Sequence, residues 1–186
     1  MQAISGAGYP GVPSLDILDN VVPFINGEEE KMEWEALKIL RSLVDRDNGV
    51  KAFNMRVRQP LCVSASCNRV VVIDGHTMTV SVRFARRPPL SPQQVREALV
   101  VYISDAMALD CPSAPRHAVF VHEESDHPQP HLDRYYQDGA GVPVGRVCQC
   151  PILDIKFVVL TNNVSISAAT SSIINAEVAV IKGIVH

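Results

Sequence analysis

The sequence has no excess of positive charge, few aromatic residues and no long apolar segment. Its 186 residues include seventeen Lys and Arg against twenty Asp and Glu, for a formal net charge of −3, and aromatic residues make up only 5%. A nucleic-acid-binding domain needs a basic surface to meet the phosphates, so this charge balance argues against nucleic acid as a partner. Apolar runs such as 70–73 and 157–160 fall far short of the roughly 20 residues that span a bilayer. We therefore expect a soluble protein that does not partner a membrane.

Cysteine patterns for metal or disulfide chemistry are also missing, since the five cysteines form no CxxC pair. His122, His127 and His131, with Cys148 and Cys150, offer metal-ligand types, but prolines and a long separation make their spacing unlike that of a closed zinc site. No metal is therefore expected, and neither is a disulfide framework. The start of the chain has no secretory pattern of basic, apolar and small residues, so the expected location is the reducing cytoplasm.

Hydrophobic periodicity and capping residues predict an α+β fold. Alternation of Met78 and Val80 with polar residues is typical of a strand with one buried face, and Ser91 with Gln94 forms a capping box for a helix that continues to Leu109. Three more helices are predicted: a short one in 14–25 that Ser14 caps, a longer one that Asn26 caps and whose apolar face reaches Leu43, and one in 166–184. Further strands are predicted at 70–73, 117–122 and 152–161. The segments 45–60 and 123–151 are predicted to be loops. This order predicts a mixed sheet with helices packed on one face.

The chain opens with MQAISGAGYPG, a glycine-rich stretch that no strand precedes. Gly6, Gly8 and Gly11 have no Cβ, and so permit a tight turn or the close approach of a ligand. Glycine spacing without the flanking strand and helix of a dinucleotide-binding motif is not specific. An ordinary mobile terminus is therefore the alternative interpretation.

Chemically useful residues follow the apolar run at 70–73. Arg69 precedes it, and the Asp74-Gly75 turn after it presents His76. The planar guanidinium can hold a carboxylate with two hydrogen bonds, and imidazole exchanges protons near neutral pH. In the alternative interpretation, Arg69 pairs with a surface acid and His76 only fills a turn.

Two further features have a functional and an ordinary interpretation. Glu28 and Lys31 are three residues apart on a predicted helix. They either bind the substrate and an anion or form an ordinary helical ion pair. Cys67 is close to Arg69 in sequence and is the only cysteine considered as a nucleophile. Its apolar flanks favour a buried, unreactive thiol.

Three long stretches of the chain resemble a known family. They read QAISGAGYPGVPSLDILDNVVPFINGEEEK, SASCNRVVVIDGHT and SSIINAEVAVIKGIV, in the family's order. The family is aspartate-semialdehyde dehydrogenase, in its fungal and archaeal branch. The resemblance implies a single domain over 1–186, the C-terminal catalytic and dimerisation domain of a glyceraldehyde-3-phosphate-dehydrogenase-like fold, which forms a homodimer or homotetramer. The implied activity is NADPH-dependent reductive dephosphorylation of aspartyl phosphate to aspartate semialdehyde, in lysine, threonine, methionine and isoleucine biosynthesis.

The resemblance also implies roles for single residues. His76 matches the family's general acid/base, and Gln2 matches the glutamine that orients the substrate. Arg69 matches the arginine that grips the substrate carboxylate. Glu28 matches a glutamate directed at the substrate amine, and Lys31 a lysine directed at phosphate.

The implied cofactor is NADP, since Ser5, Gly6 and Gly8 match the loop beside its nicotinamide end. The family's Gly-rich dinucleotide turn and its Asn-Cys-Ser/Thr motif, which holds the nucleophilic cysteine, do not occur in this sequence. We therefore expect the N-terminal NADP-binding domain to be absent and the chain alone to be inactive. A non-catalytic dimerisation module is one alternative, and a minimal thiol site of Cys67 with His76 is another.

One stretch departs from the family pattern. Ser167 and Thr170 stand where the fungal branch has glycines. If those positions need a positive φ, the β-branched Thr170 would be strained by roughly 1–3 kcal/mol, or the loop would shift.

Overall fold

The chain forms two compact units. The structure is a computed structural model that describes residues 1–40, 43–45, 49–53 and 61–185. The sheet unit consists of Met1–Asn20 and the chain from Val70 onward, and the hairpin unit is Val21–Arg69. Among the described residues, none of the helices has both the length and the apolar character needed to cross a bilayer.

Helices and strands occur in short runs along the chain. The helices are α1 (Ser14–Ile17), α2 (Glu28–Ile39), α3 (Pro92–Val100), α4 (Asp105–Ala108), α5 (Pro130–Asp133) and α6 (Thr170–Ile181). The strands are β1 (Leu43–Asp45), β2 (Lys51–Phe53), β3 (His76–Val82), β4 (Val119–Val121), β5 (Val142–Gln149) and β6 (Ile155–Thr161). Ile4–Ala7 and Tyr136–Gly139 form 3₁₀ turns, and Ser165–Ala169 forms a π-helical turn.

The sheet unit is built on a mixed sheet, in the strand order β3-β6-β5-β4 within the described residues. β6 pairs antiparallel with β3 and β5, whereas β4 pairs parallel with β5. The register places His76, the first residue of β3, opposite Thr161, the last residue of β6. Helix α3 packs against β4 and β5. The predicted fold class, α+β with a mixed sheet, is confirmed.

The core of the sheet unit lies between α3 and the sheet. Val95 of α3 packs with Val144, Val147 and Ile155 in a cluster of buried side chains. Partly buried apolar residues surround this cluster: Phe84, Leu90, Leu99, Val119, Val121, Val142, Phe157 and Val159. Removal of these aliphatic groups from water holds the helix on the sheet.

The capping box of α3 is present as predicted. Ser91 Oγ accepts the Gln94 N–H at 3.2 Å, and Gln94 Oε1 accepts the Ser91 N–H at 2.9 Å. The predicted continuation to Leu109 is wrong, because α3 ends at Val100. Ser104 then caps the separate helix α4 by accepting the Met107 N–H at 3.2 Å. A second capping serine within an apolar periodic stretch therefore divides one predicted helix into two.

The predicted loop at 123–151 is also wrong, because it contains β5. This strand is paired on both sides and is mostly buried. Its sequence, VPVGRVCQ, lacks period-two alternation, since a strand buried on both faces has no polar face to alternate with. Gly145 lies so close to the His127 carbonyl that a Cβ there would collide with it.

The predicted strand at 70–73 does not join the sheet ladder. The run bonds instead to the start of the chain: Val70 N–H donates to Gln2 O at 3.0 Å, while Ile4 and Ser5 donate to Val72 O and Ile73 O at 2.8 and 3.1 Å. The strand prediction is wrong, because Val72 N–H donates to Val70 O at 2.8 Å and the backbone bends at Val71 and Ile73.

Three predictions for residues 14–60 need correction. The helix predicted in 14–25 is only the four residues of α1, and Ser14 does not cap it. Gly27, with φ 77°, takes the N-cap position of α2 in place of Asn26. The predicted loop at 45–60 includes β2, which pairs antiparallel with β1, while residues 46–48 and 54–60 lie outside the described residues.

Asp154 provides a test of the junction between β3 and β6. Its carboxylate accepts the Phe84 N–H at 2.7 Å and Arg87 Nη1 at 2.8 Å, and these bonds, that of Phe84 foremost, hold the pKa of Asp154 below its usual value. A depressed folded-state pKa stabilises the fold above the unfolded pKa of about 4 and ceases to do so as pH falls through the folded value. Asp154→Asn should therefore lower the melting temperature at pH 7, and the difference from wild type should close below about pH 4.

The control for this prediction is Asp16→Asn, which changes an exposed carboxylate on α1. Thermal unfolding followed by circular dichroism at several pH values measures both variants. A deficit of Asp154→Asn that stays constant down to pH 3 would show that the ionised carboxylate does not stabilise this junction.

Candidate functional site

The sheet unit brings the predicted catalytic residues Gln2 and His76 together. Gln2 is buried, at 9% exposure, and its carbonyl accepts the Val70 N–H. The next residue, Ala3, donates its N–H to Nδ1 of His76 at 3.2 Å. His76 is half-buried at the start of β3. The two residues thus belong to one hydrogen-bonded strip at the sheet end.

The Ala3 contact determines the tautomer of His76. A backbone N–H can only donate a hydrogen bond, so Nδ1 must be the acceptor. The neutral imidazole then carries its hydrogen on Nε2. His76 therefore presents an Nε2–H group, which can donate a hydrogen bond to an oxygen that gains charge.

The turn before His76 is held by Asn163, which follows β6. Its Oδ1 accepts the Gly75 N–H at 2.8 Å, and its Nδ2 donates to Ser5 Oγ at 2.8 Å. Gly75 has φ 103°, and a Cβ there would lie 3.2 Å from Leu160 Cδ1, so glycine is required by both conformation and space. Sequence reasoning did not identify this role of Asn163. The available signal is a pair of asparagines directly after an apolar strand.

The predicted cofactor-binding residues Ser5, Gly6 and Gly8 lie on or next to the 3₁₀ turn Ile4–Ala7. Gly8 has φ 69°, and no atom lies within 4 Å of the place that a Cβ would occupy. Flat groups can therefore approach this backbone closely. The geometry fits a nicotinamide ring, while contact with NADP remains a prediction.

The hairpin unit contains the predicted substrate-binding residues. Arg69 is 6% exposed, and its backbone exchanges two hydrogen bonds with Val22, at 3.0 and 2.9 Å. Burial lowers the pKa of the Arg69 guanidinium below its ordinary value, and the charge of Glu28 opposes this shift. Lys31 Nζ lies 3.7 Å from Glu28 Oε1, so the helical ion pair exists. That Glu28 and Lys31 bind substrate and phosphate remains a prediction.

Cys67 has the surroundings of an unreactive thiol. It is 3% exposed, its N–H donates to Glu29 Oε1 at 2.8 Å, and its Sγ lies 3.3 Å from Met32 Sδ. Burial, followed by the charge of Glu29, raises the pKa of the Cys67 thiol. Because the thiolate is the nucleophilic form, this environment argues against the minimal thiol site.

Ser167 and Thr170 are accommodated in helical backbone. Ser167 lies in the π-helical turn Ser165–Ala169, and Thr170 has φ −63° and ψ −42°. Neither is among the positive-φ residues of the part of the chain that the structure describes. The strain that a positive φ would cause at Thr170 is therefore absent. Its hydroxyl instead lies 2.9 Å from Ser165 Oγ.

The sheet unit thus presents a half-buried histidine beside a glycine-bearing turn with open backbone. Residues 1–166 match the family model described as "Semialdehyde dehydrogenase, dimerisation domain". The chain belongs to the semialdehyde dehydrogenase family.

The chain is similar to curated fungal and archaeal proteins and to a solved structure. It is 58% identical over its full length to the aspartate-semialdehyde dehydrogenase of Cryptococcus neoformans, and covers 50% of that protein. It is 47% identical over 177 residues to that of Archaeoglobus fulgidus, which covers 95% of this chain and 48% of the relative. The crystal structure of the Candida albicans enzyme with NADP matches with a TM-score of 0.87 and 45% identity, over 100% of this chain and 50% of that one. The chain thus spans about half the length of these relatives, and the fungal and archaeal resemblance is confirmed.

Substitution of Asn163 tests the two hydrogen bonds by which this residue joins Gly75 to Ser5. Asn163→Ala removes two hydrogen bonds and should destabilise the chain by roughly 1–3 kcal/mol, at about 0.5–1.5 kcal/mol each. Asn163→Asp keeps an acceptor for Gly75 but loses the donor to Ser5. Amide hydrogen exchange at Gly75 should therefore accelerate in the alanine variant and stay slow in the aspartate variant.

Urea unfolding supplies the free energies, and Asn175→Ala, an exposed position on α6, is the matched control. Equal protection of Gly75 in wild type and in Asn163→Ala would contradict the assigned hydrogen bond.

Thiol labelling tests the state of Cys67. At pH 7 a chromogenic disulfide reagent should modify the exposed Cys62 first and Cys67 far more slowly, because Cys67 is buried and its pKa is raised. Both cysteines lie on the tryptic peptide 59–69, so fragmentation of that peptide by tandem mass spectrometry at successive times gives the order. Rapid labelling of Cys67 under native conditions, with Cys62→Ser as the reference, would restore the thiol-site interpretation.

Proposed function

We propose that this chain supplies the acid–base and substrate-binding half of an aspartate-semialdehyde dehydrogenase. The reaction is the NADPH-dependent reductive dephosphorylation of L-aspartyl 4-phosphate to L-aspartate 4-semialdehyde. The observation that carries this proposal is the half-buried His76, whose hydrogen is directed to Nε2 by Ala3, beside Gln2 and the glycine turn. The names of the relatives support it for the aligned half.

His76 acts on the reacting centre through its Nε2–H group, and it can take up a proton only when Nδ1 gives up the Ala3 N–H. When a carbonyl group gains an electron pair, its oxygen becomes basic, and the Nε2–H of His76 can neutralise the developing charge. NADPH, when bound, supplies the hydride. Ser5, Gly6 and Gly8 would lie against its nicotinamide end, where the open backbone at Gly8 leaves space for a flat ring.

The remaining residues bind and orient the substrate. Arg69 holds the α-carboxylate with its planar fork, and Gln2 orients the reacting end by hydrogen bonding. Lys31 supplies a cation for the phosphate, and Glu28 an anion for the substrate amine. Holding the substrate by the three charged groups of Arg69, Lys31 and Glu28 would remove rotational freedom that the reaction would otherwise have to remove at the transition state.

The nucleophile is proposed to lie outside these 186 residues. The sequence has no Asn-Cys pair, and the environment of Cys67 favours its neutral form. The chain alone is then inactive, and a cysteine of a complementary NADP-binding half forms the thioester. A non-catalytic dimerisation module is the second candidate, because the same absence of a nucleophile supports it.

We propose a homodimer or homotetramer as the assembly, in the cytoplasm. The matched family domain is described as a dimerisation domain. Helix α6 leaves Ile173, Val180 and Ile181 about half exposed, at 54%, 58% and 48%. Apolar residues exposed in this way are suited to self-association.

A fusion protein tests the function. The N-terminal half of the Cryptococcus neoformans relative is joined to this chain, and NADPH formation from aspartate semialdehyde, NADP and phosphate is followed by absorbance. The chain alone should be silent, and the fusion should be active. His76→Gln in the fusion should lower kcat by about 10²–10⁴-fold, the usual contribution of a general acid or base. The exposed His117→Gln is the control and should leave kcat unchanged.

Each result separates the candidates. Activity of the chain alone would place the nucleophile within it. A folded but inactive fusion would favour the dimerisation module. An active fusion that tolerates His76→Gln would refute the acid–base role and leave the family activity standing.

A further inference from the structure

We propose that His122, His127 and Asp133 of the sheet unit form a binding site for one divalent first-row transition cation, with Zn²⁺ as the ion that best fits the donor set. His122 follows β4, His127 lies in the next loop, and Asp133 ends α5. Their ligand atoms all lie within 4.8 Å of one another. The proposal does not depend on the proposed function, because these residues have no role in that chemistry.

Protein contacts hold the three donors in place. Asp133 Oδ2 accepts the Gln129 N–H and lies 2.8 Å from His127 Nδ1. The His122 and His127 rings stack with centroids 4.8 Å apart, and the His122 ring meets Phe120 edge to face at 4.7 Å. The side chains of His122 and Asp133 are 12% exposed and that of His127 is 21% exposed. An ion would thus meet side chains that are already ordered and largely removed from water.

The spacing around His122 suits metal ligation better than hydrogen bonding. Its Nε2 lies 3.6 Å from Asp133 Oδ1, which is too long for a hydrogen bond. Two ligands that bind a tetrahedral zinc ion at about 2.0–2.2 Å stand roughly 3.4 Å apart. His122 and Asp133 therefore already have nearly the separation that a shared ion requires.

Glu124 lies near the other ring nitrogen of His122. Its Oε2 is 3.6 Å from Nδ1, which is again too long for a hydrogen bond. By approaching Nδ1 when the ion binds, this carboxylate would keep the hydrogen there and leave Nε2 free for the ion. His127 must give up its Nδ1 hydrogen, and the ligand atoms, which lie within 4.8 Å of one another, must adjust to the roughly 3.4 Å separations of a tetrahedral site. The released proton passes to solvent.

The local charge is negative in balance. The stretch from His122 to Asp133 contains four carboxylates, those of Glu123, Glu124, Asp126 and Asp133, and no Lys or Arg. Two guanidinium groups adjoin it, since Arg96 Nη1 donates to His122 O at 3.2 Å and Arg134 follows Asp133. Two imidazoles and a carboxylate are typical ligands for zinc and are unlike the all-oxygen sets of calcium and magnesium. Water completes the fourth position.

Such an ion would act as a structural link beside the candidate catalytic turn. It would join the loop after β4 to α5, and Pro130 of α5 and the following Arg134 have Cβ atoms 3.4 Å from the place that a Cβ on Gly75 would occupy. Gly75 directly precedes His76. Binding should therefore slow amide exchange on this side of the turn without supplying a reacting group.

Cobalt and zinc titrations of the purified, chelator-treated chain test the proposal. We expect one ion per chain by calorimetry and a higher melting temperature with Zn²⁺. Co²⁺ should give the visible d–d bands of a nitrogen and oxygen site, without the intense near-ultraviolet band of thiolate ligation. That distinction is needed because the chain has five cysteines.

His122→Phe is the decisive variant, because it keeps an aromatic ring for stacking on Phe120 and His127 but removes the ligand nitrogen. Zn²⁺ affinity should fall by at least about tenfold. Asp133→Asn is the second variant, and circular dichroism checks that both fold. His131→Phe, an exposed position on the same short helix, is the control and should bind like wild type.

Three results would overturn the site. They are the absence of binding by the wild-type chain, thiolate bands with Co²⁺, and equal affinity of His122→Phe and wild type. The first of these would identify the cluster as a hydrogen-bonded group of histidines and aspartate that holds the loop without an ion.

Discussion

The pairing of the chain's first residues with the run at 70–76 is the constraint on which the candidate site depends. Gln2, Ile4 and Ser5 exchange backbone hydrogen bonds with this run, and Ala3 binds the ring of His76. An unpaired buried backbone group costs about 1–3 kcal/mol, so the two segments cannot slide past each other without losing several such bonds. The strip therefore fixes at once where Gln2 lies, which tautomer His76 adopts and where the glycine turn begins.

Local sequence signals predicted the elements whose causes are local. The Ser91 and Gln94 capping box and the alternation along β3 depend on residues within a few positions, and both predictions are confirmed. β5 was missed because its two faces are both covered, so its pattern carries no polar period and includes Pro143 and Gly145. The strand prediction at 70–73 is wrong, because a β-branched pattern does not show that this run bends and bonds to the distant start of the chain.

The residues of the candidate site were identifiable from motifs, whereas their geometry was not. The tie between Ser5 and Asn163 joins positions 158 residues apart, and that between Gly75 and Asn163 joins positions 88 apart. Such contacts exist only after β3 and β6 have paired, so no local spacing indicates them. The burial of Cys67 was predictable, because cysteine is among the residue types that are most often fully buried.

The departure at Ser167 and Thr170 is tolerated because hydroxyl contacts stabilise the turn after β6. Asn162 Oδ1 accepts the N–H groups of Val164 and Ser165 at 3.0 and 2.8 Å, which ends the strand and begins the π-helical turn. Ser165 Oγ then lies within hydrogen-bonding distance of both Asp138 O, at 3.1 Å, and Thr170 Oγ1, at 2.9 Å. A glycine at position 170 would leave Ser165 without the second contact. The Thr170 side chain therefore adds a local hydrogen bond. Asn163 still accepts the Gly75 N–H in the turn before His76.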